Sequence, residues 1–525
     1  MNYIRFHIFG ILVCLATPVF AQNPVFAQNT RSHTPEAVAS FIDQQMAATW
    51  KAERITPSNP CLDHEFLRRA CLDIVGVIPA EKAVSQFLAD SKPNKRELLV
   101  DELLKTETYS RYAAVTWSNL LVGRGKDAEA LLHGRFRDWL YEQFRTDKGF
   151  DQIIRKVLTA TGTALEEPAV LWALHHDTKP ENLTGAASRV FLGTQIQCAQ
   201  CHDHPFEERT QEEFYGMAAF FARATESRVL FVQRVSDTNS GEIRLGGMPT
   251  GKIVPPQFTD GTKPARSRYT RRQQLANWMV DPRNKQFAKA IANRVWSRML
   301  GRGLVDPVDD FRSTNAAVYP EVLQRLADEF IRSGYDMKFL VRTISQTRAY
   351  QLSSRPSRNN KDDETFFSKA AIRRLNPEQM VASVVMSTGL VNDEKTWDNP
   401  VFRLLLQVVL NDFIFVFDNM DETTEVSEFR GTIAQALMMM NSKHITNATK
   451  LNLLSPLFRK LAACRTVNDK IDLLFRITLS RSPTNAELKR YAQYFQGAKR
   501  SSDQLAVCED LYWALLNCNE FTFNY

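Results

Sequence analysis

Two cysteines and a histidine lie close together at positions 198–202, in the sequence Cys-Ala-Gln-Cys-His. The spacing Cys-x-x-Cys-His is the attachment motif of c-type haem. Two thiols three residues apart on a helical turn can reach the two vinyl groups of the porphyrin. The histidine that follows then lies under the iron as its proximal ligand. The pattern predicts one covalently bound haem c, held by Cys198, Cys201 and His202.

The same segment is open to three other interpretations. The segment contains four possible metal donors within seven residues, which suits zinc or another metal. They are Cys198, Cys201, His202 and His204. The two cysteines could instead form a redox-labile disulfide, or they could be inert while the histidines are only hydrogen-bonded. Pro205 weakens the metal interpretation, because it biases His204 toward an extended backbone and the four donors would have to converge from a helix-to-loop transition.

A second axial ligand for the iron is less clearly marked. Met248 lies in the sequence Leu-Gly-Gly-Met-Pro-Thr-Gly at 245–251, whose small residues would let a thioether approach the iron. His175, His176 and His444 are weaker candidates, because a histidine on a helix surface is usually solvated. Met248 is therefore the first candidate for the distal ligand.

The N-terminus has the pattern of a secretory signal peptide. Arg5 is followed by an apolar run at 8–15 and by Pro-Val-Phe-Ala at 18–21. The hexapeptide Pro-Val-Phe-Ala-Gln-Asn occurs at 18–23 and again at 24–29. We therefore expect a signal peptide of residues 1–21, with cleavage after Ala27 as the alternative. The mature protein is then expected to be exported, to the periplasm, the cell surface or the extracellular medium, where covalent haem attachment is also expected.

No segment predicts a membrane span. The apolar run of the signal peptide is far shorter than the ~20 residues that a span needs. The later apolar segment Val401–Phe417 contains Arg403, Asn411 and Asp412, which are costly in contact with lipid. We expect a buried helix or a helix–strand pair there.

The charge balance argues against nucleic acid as a partner. The 66 Lys and Arg exceed the 59 Asp and Glu by only 7 over 525 residues, and no run of five basic residues occurs. Phosphate-binding glycine loops, nucleophile elbows and the His-Glu-x-x-His zinc motif are missing from the sequence. The sequence therefore assigns no enzymatic activity. A carboxylate-based hydrolase stays open because acidic residues are plentiful.

The elements that must position these residues are mainly helical. Apolar residues recur at helical spacing over 34–224 and again over 266–525, so we expect two helical domains, each with its own core. Residues 225–265 between them have strand and turn character, with Val229–Val235 as a strand and Ile243–Leu245 as its return strand. The predicted fold class is mainly α, with two helical domains joined by a small β-hairpin and linker.

Two longer runs in the first half resemble a known family. They are Arg-Val-Phe-Leu-Gly-Thr-Gln-Ile-Gln-Cys-Ala-Gln-Cys-His-Asp-His-Pro-Phe at 189–206 and Thr-Gln-Glu-Glu-Phe-Tyr-Gly-Met-Ala-Ala-Phe-Phe at 210–221. Both resemble the planctomycete cytochrome-like domain of unknown function. The second half resembles its companion, the planctomycete-specific domain of unknown function, through Asn-Arg-Val-Trp at 293–296, Asp-Asp-Phe-Arg at 309–312 and Tyr-Gln-Leu-Ser-Ser at 350–354. The resemblance implies an exported bacterial protein with a cytochrome-like motif and no settled activity.

The polar residues of the second-half runs have two interpretations. Asn293, Arg294, Trp296, Asp310 and Arg312 could line a substrate site, or they could form a buried ion-pair and capping network that fixes helix packing. A static network is the commoner use of such residues, and we expect it here.

These observations lead to one leading hypothesis and one alternative. The leading hypothesis is an exported c-type-cytochrome-like protein that binds one haem and takes part in extracytoplasmic electron transfer. Its partner would be a redox protein or a co-exported protein that the sequence does not identify. The alternative is a non-haem, metal-stabilised binding module, or a hydrolase-associated protein that acts on extracellular polymers.

Overall fold

The computed structural model describes residues 33–125, 130–203, 209–229, 232–391, 396–397, 399–417, 432–453 and 455–525. The expected signal peptide and His204 lie outside these described residues. Within them the fold is mainly α, as the sequence predicts.

The first half of the chain is a succession of short and medium helices. Their bounds are α1 Pro35–Ala52, α2 Asp63–Ile74, α3 Glu81–Ala89, α4 Lys95–Lys105, α5 Glu107–Val122, α6 Ala130–Arg145, α7 Phe150–Thr159, α8 Leu171–His175, α9 Pro180–Ala187 and α10 Gln211–Ala218. A π-helical turn, Ser188–Leu192, extends α9, and a 3-10 turn covers Gln197–Gln200. Threonine side chains begin α1, α5 and α10 by accepting a hydrogen bond from a first-turn amide.

The strands are short and pair antiparallel. Their bounds are β1 Gly162–Thr163, β2 Ala224–Val229, β3 Val232–Asp237, β4 Ile243–Arg244, β5 Ile253–Val254, β6 Arg373–Arg374 and β7 Phe523–Asn524. The order in the three-stranded sheet is β1-β3-β2, and the other two sheets are the pairs β4-β5 and β6-β7.

A hairpin is present in the predicted region, but its predicted pairing is wrong. The run Val229–Val235 is divided between β2 and β3, which pair with each other, and Ile243 pairs with Val254 instead. The sequence of β2, Ala-Thr-Glu-Ser-Arg-Val, is largely polar, so its hydrophobic pattern gives no strand signal. Backbone hydrogen bonds to β3, rather than apolar burial, hold it in place.

The second half is also helical, and proline or glycine marks several helix ends. The bounds are α11 Arg271–Met279, α12 Lys285–Leu300, α13 Pro320–Arg332, α14 Met337–Gln346, α15 Pro377–Ser387, α16 Pro400–Phe417, α17 Ile433–Asn441, α18 Lys443–Thr449, α19 Pro456–Ala463, α20 Val467–Leu479, α21 Asn485–Tyr494, α22 Ser501–Leu516 and α23 Asn519–Thr522. Pro320 is the first residue of α13. Gly301 ends α12 with a φ of 85°, a left-handed conformation that glycine adopts without strain.

The buried apolar residues do not divide at the predicted linker. One cluster runs from Val38 to Phe367 and includes residues from both sides of it, while a second cluster gathers Leu72, Ile78 and residues 375–521. The expectation of one core for each helical domain is therefore wrong. The physical reason is packing across the linker: α7 packs on α11, and α1 packs on α13 and α14.

The helix α16 is less buried than its composition suggests. Only Phe413 and Phe417 of this helix are buried, while Val401, Leu404 and Phe415 are largely exposed. The sequence expectation of a buried helix is wrong, because apolar residues occur all around α16 and one face alone packs against α15. Among the described residues, no helix combines the length and the apolar character that a membrane crossing needs.

Candidate functional site

The motif segment begins where α9 and its π-helical turn end. Gly193 follows with a φ of 64°, and its carbonyl accepts a hydrogen bond from the Phe311 amide at 2.8 Å. A side chain at this position would lie 2.7 Å from the Phe311 ring. Gly193 is therefore required both by its left-handed backbone and by the close approach of the second half of the chain.

The motif cysteines lie on a 3-10 turn with one buried anchor. Ala199 is buried against the core, whereas Cys198 and Cys201 are exposed and carry free thiols. A single turn buried through a small residue directs the neighbouring side chains outward. Both thiols are thus accessible from solvent.

The motif turn is tied to the start of α10. The Gln211 side-chain amide donates to the Gln200 carbonyl at 2.9 Å, and the Gln211 backbone amide donates to Asp203 Oδ1 at 2.8 Å. Thr210 and Glu213 form a capping box at the same helix end. These contacts fix the backbone on both sides of His202.

His202 is exposed, and one of its ring nitrogens has a backbone partner. Its Nδ1 lies 2.7 Å from the Asp203 carbonyl oxygen. A carbonyl can only accept, so the proton of the neutral ring is on Nδ1 and Nε2 keeps its lone pair. This is the tautomer that binds a metal through Nε2, oriented by the hydrogen bond on the other nitrogen.

The loop that carries Met248 packs on the same helix as the motif. A side chain at Gly246 would lie 4.0 Å from Gln211 Nε2, and one at Gly247 would lie 3.8 Å from the Tyr215 hydroxyl. Met248 itself is 59% exposed. The sequence candidate for the distal ligand is therefore presented, accessible, by a glycine turn that contacts α10.

Tyr215 lies beside the Met248 loop, and its role is not predictable from sequence because its spacing is that of a core aromatic of α10. Burial raises the pKa of the Tyr215 hydroxyl, and the nearby Glu181 carboxylate and Cys201 thiol raise it further. The Tyr215 hydroxyl lies 3.8 Å from where a side chain on Gly247 of the Met248 loop would begin.

Three of the remaining cysteines are of a different kind. Cys61, Cys71 and Cys508 are buried, and burial raises the pKa of Cys71 to about 12 and that of Cys508 to about 11. A thiol that cannot ionise and that solvent cannot reach is chemically inert. The motif thiols thus differ from these three in accessibility.

The other histidines considered as ligands have partners elsewhere. The rings of His175 and His176 lie 5.1 Å apart, and His176 contacts the Trp172 ring edge-on at 5.4 Å. Burial lowers the pKa of His176 to about 3. His444 Nε2 lies 2.6 Å from Asp412 Oδ2. None of these contacts involves a motif residue.

Asn293, Asp310 and Arg312, three of the polar residues of the second-half runs, make contacts of the kind that a static packing network would use. Asn293 exchanges two hydrogen bonds with the Val305 backbone, at 2.8 and 3.0 Å. Arg312 forms an ion pair with Asp310 at 3.0 Å. The Gln195 amide donates to Asp309 at 3.0 Å, which joins this network to the segment that precedes the motif.

A polar cavity of about 1230 Å³ opens beside this network. Arg209, Lys289, Arg312 and Asn315 line it, and Arg209 follows the motif segment in the chain. Gln286 on its wall donates to the Leu192 carbonyl at 2.7 Å. Sequence spacing marks neither Lys289 nor Gln286, because both belong to the polar face of an otherwise ordinary helix, α12.

The donor chemistry of the motif fits covalent haem attachment. Within the part of the chain that the structure describes, no group of three His, Cys, Asp or Glu side chains is arranged to hold a metal ion. His204, the fourth donor of the zinc interpretation, lies outside the described residues. Two accessible thiols beside an imidazole with Nε2 available are what covalent haem attachment requires.

The comparisons with known proteins identify two regions of the chain. Residues 41–226 match the profile of PSCyt2, a protein of unknown function (DUF1549), and residues 271–495 match the profile of PSD1, a protein of unknown function (DUF1553). No curated protein and no solved structure matches the chain.

Proposed function

The chain belongs to the proteins in which a PSCyt2 domain precedes a PSD1 domain, and from this premise we propose that it is an exported c-type-cytochrome-like protein. It binds one haem covalently and takes part in electron transfer outside the cytoplasm. The observation that carries the proposal is the pair of exposed, free thiols of Cys198 and Cys201 next to an imidazole whose Nδ1–H is bound to a backbone carbonyl.

Each motif residue has a distinct role in holding the haem. The Cys198 and Cys201 thiols each add across one vinyl group, with sulfur bonding to one carbon and the thiol hydrogen going to the other. The addition is redox-neutral and needs no oxidant. His202 offers Nε2 to the iron while the Asp203 carbonyl holds the ring in that tautomer.

When bound, the haem supplies a one-electron redox centre. The surroundings of the motif suit exchange with a partner rather than an enclosed reaction, because Cys198, Cys201 and His202 are all exposed. Met248 is the candidate for the second axial position, on the loop that packs against α10. Thioether ligation raises the reduction potential of a haem relative to ligation by two histidines.

The test is expression together with c-type maturation machinery, followed by absorbance and haem staining after denaturing electrophoresis. The wild-type protein should show a reduced α-band and should retain haem on the gel. The Cys198→Ala/Cys201→Ala variant should show neither. The Cys464→Ala variant is the matched control, since Cys464 is a free, partly exposed thiol outside the motif.

A colourless wild-type product that contains stoichiometric zinc would contradict the proposal and favour the non-haem alternative. Replacing Met248 with Ala should leave the covalent attachment intact. It should remove the charge-transfer band that methionine gives to ferric haem. An unchanged ferric spectrum in that variant would exclude Met248 as the distal ligand.

A further inference from the structure

A second cavity, remote in sequence from the motif, lies between α5, α6, α15 and α16. Its volume is about 470 Å³. Small-molecule sites in proteins occupy about 300–1,000 Å³. The cavity is therefore large enough for a compact organic ligand.

The walls of this cavity are mostly apolar and aromatic. Tyr112, Tyr141 and Trp397 contribute rings, and Val115, Val381 and Leu410 contribute aliphatic surface. Such walls favour the apolar body of a ligand over water, because burying that body removes apolar surface from solvent. The polar groups of the cavity must then decide which kind of ligand fits.

Three arginines at or beside the cavity have partners within the protein. Arg403 forms an ion pair with Asp138 at 2.8 Å, and Arg124 forms one with Glu378 at 2.8 Å. The Arg111 guanidinium lies over the Tyr141 ring, 5.1 Å from its centroid. The two lining carboxylates, Asp138 and Glu378, are thus already neutralised.

Arg137 differs from these three. It is half-buried and lines the cavity, and it forms no hydrogen bond or ion pair with any residue that the structure describes. Burial lowers the pKa of its guanidinium, with Arg403 adding to the effect and Asp138 and Glu378 opposing it. A half-buried cation that has no direct partner among the described residues, in an apolar cavity, is stabilised by an anion that enters the cavity.

We propose that this cavity binds a small apolar monoanion, an aryl or acyl carboxylate or sulfonate, with the anionic group on Arg137 and the apolar body against Tyr112, Tyr141 and Trp397. This site is separate from the haem motif, and its ligand does not depend on haem attachment. The ligand class follows from Arg137, a cation with no direct partner among the residues that the structure describes, in an otherwise apolar and internally neutralised enclosure.

The experiment uses titration calorimetry with a matched pair of probes, 4-phenylbutyrate and its uncharged amide, 4-phenylbutanamide. The wild-type protein should bind the carboxylate at least about tenfold more tightly than the amide, because a charge-assisted hydrogen bond is lost with the charge. The Arg137→Met variant should bind the two probes equally and weakly. The Arg135→Met variant, altered at an exposed arginine two residues earlier on α6, should bind like wild type.

A second variant separates loss of the site from loss of folding. Ala382→Trp fills the cavity from a half-buried position and leaves Arg137 in place, so it should abolish binding of both probes. Unfolding temperatures of all variants within a few degrees of wild type verify the fold. Equal affinity of wild type for the two probes, no binding of either, or wild-type binding of the carboxylate by Arg137→Met would overturn the proposal.

Discussion

At the scale of single residues, accessibility separates the cysteines and histidines that can react from those that cannot. Cys198, Cys201 and His202 are exposed on one turn, whereas Cys71 and Cys508 are buried with raised pKa values. The spacing of the motif predicts the first group from sequence alone. The hydrogen bond from His202 to the Asp203 carbonyl was not predictable in this form, because a carboxylate was the equally plausible partner.

The two histidines of the motif segment should respond differently to mutation. His202→Ala removes the proposed proximal ligand, and we expect loss of stable haem attachment. His204→Ala should keep attachment, since Pro205 biases residue 204 toward an extended backbone that leaves the turn. The haem-to-protein ratio and the metal content of the two purified variants measure how much haem stays attached. Equal loss of bound metal in both, with no haem in wild type, would instead indicate a Cys/His metal site.

The half-buried imidazole of His176 should make the protein sensitive to acid. Its pKa is lowered to about 3 in the folded state, against 6.5 as the ordinary value. The unfolded state therefore binds a proton first as pH falls, and stability is lost progressively from about pH 6.5 toward pH 3. The full effect is on the order of 5 kcal/mol.

The matched variant is His176→Phe, which keeps an aromatic ring beside Trp172 but cannot titrate. Its unfolding temperature should fall less than that of wild type between pH 7 and pH 4. If the two proteins lose the same stability over this interval, acid sensitivity arises elsewhere.

At the scale of elements, the sequence predicts the helix ends that local residue chemistry determines. It does not predict a strand or a helix face that depends on which other element packs against it. Pro320 begins α13 and Gly334 follows its end, as local chemistry dictates, because proline fits a first turn and glycine adopts the left-handed backbone after a helix. The strand β2 and the exposed face of α16 were not predictable. The strand β2 forms because it pairs with β3. One face of α16 stays exposed because only the other face packs against α15, although apolar residues occur all around the helix.

Gly193 should be intolerant of any side chain. Gly193→Ala would place a methyl group 2.7 Å from the Phe311 ring on a backbone with a φ of 64°. We expect a loss of about 1–3 kcal/mol in the free energy of unfolding and reduced haem attachment at the adjacent motif.

Gly134→Ala is the control for that substitution. Gly134 lies within α6 with nothing within 4 Å of an added methyl group, so alanine should stabilise the protein by about 0.5–1 kcal/mol. Denaturant unfolding of both variants gives the two values. A neutral Gly193→Ala would mean that the Phe311 contact can relax freely.

At the scale of the whole molecule, the two matched regions are joined through shared packing. Phe150 stacks on Phe287 with ring centroids 6.3 Å apart. The buried Arg272 donates to the Leu158 and Ala160 carbonyls and pairs with Asp237 at 2.8 Å. Arg68 reaches across to the Thr478 and Phe521 carbonyls. Local periodicity cannot predict such contacts, because apart from the Arg272–Asp237 pair they join residues more than a hundred positions apart.

Residues 34–224 should therefore not fold cooperatively by themselves. Separation would expose the apolar surface that faces α11 to α14 and would leave the Arg68 guanidinium without its carbonyl partners. We expect the isolated fragment to show a broad thermal transition or to aggregate, while the full chain unfolds sharply. A sharp transition in the fragment would show that its core is self-sufficient.

The most direct test of the central claim is the intact mass of the purified protein under denaturing conditions, after expression with c-type maturation machinery. Denaturation removes any haem that is not covalently bound, so the mass reports attachment alone. We predict a mass above that of the processed polypeptide by one haem, with the added mass in the peptide that contains Cys198 and Cys201. A polypeptide mass with no addition, from cells that mature other c-type cytochromes, would contradict the account.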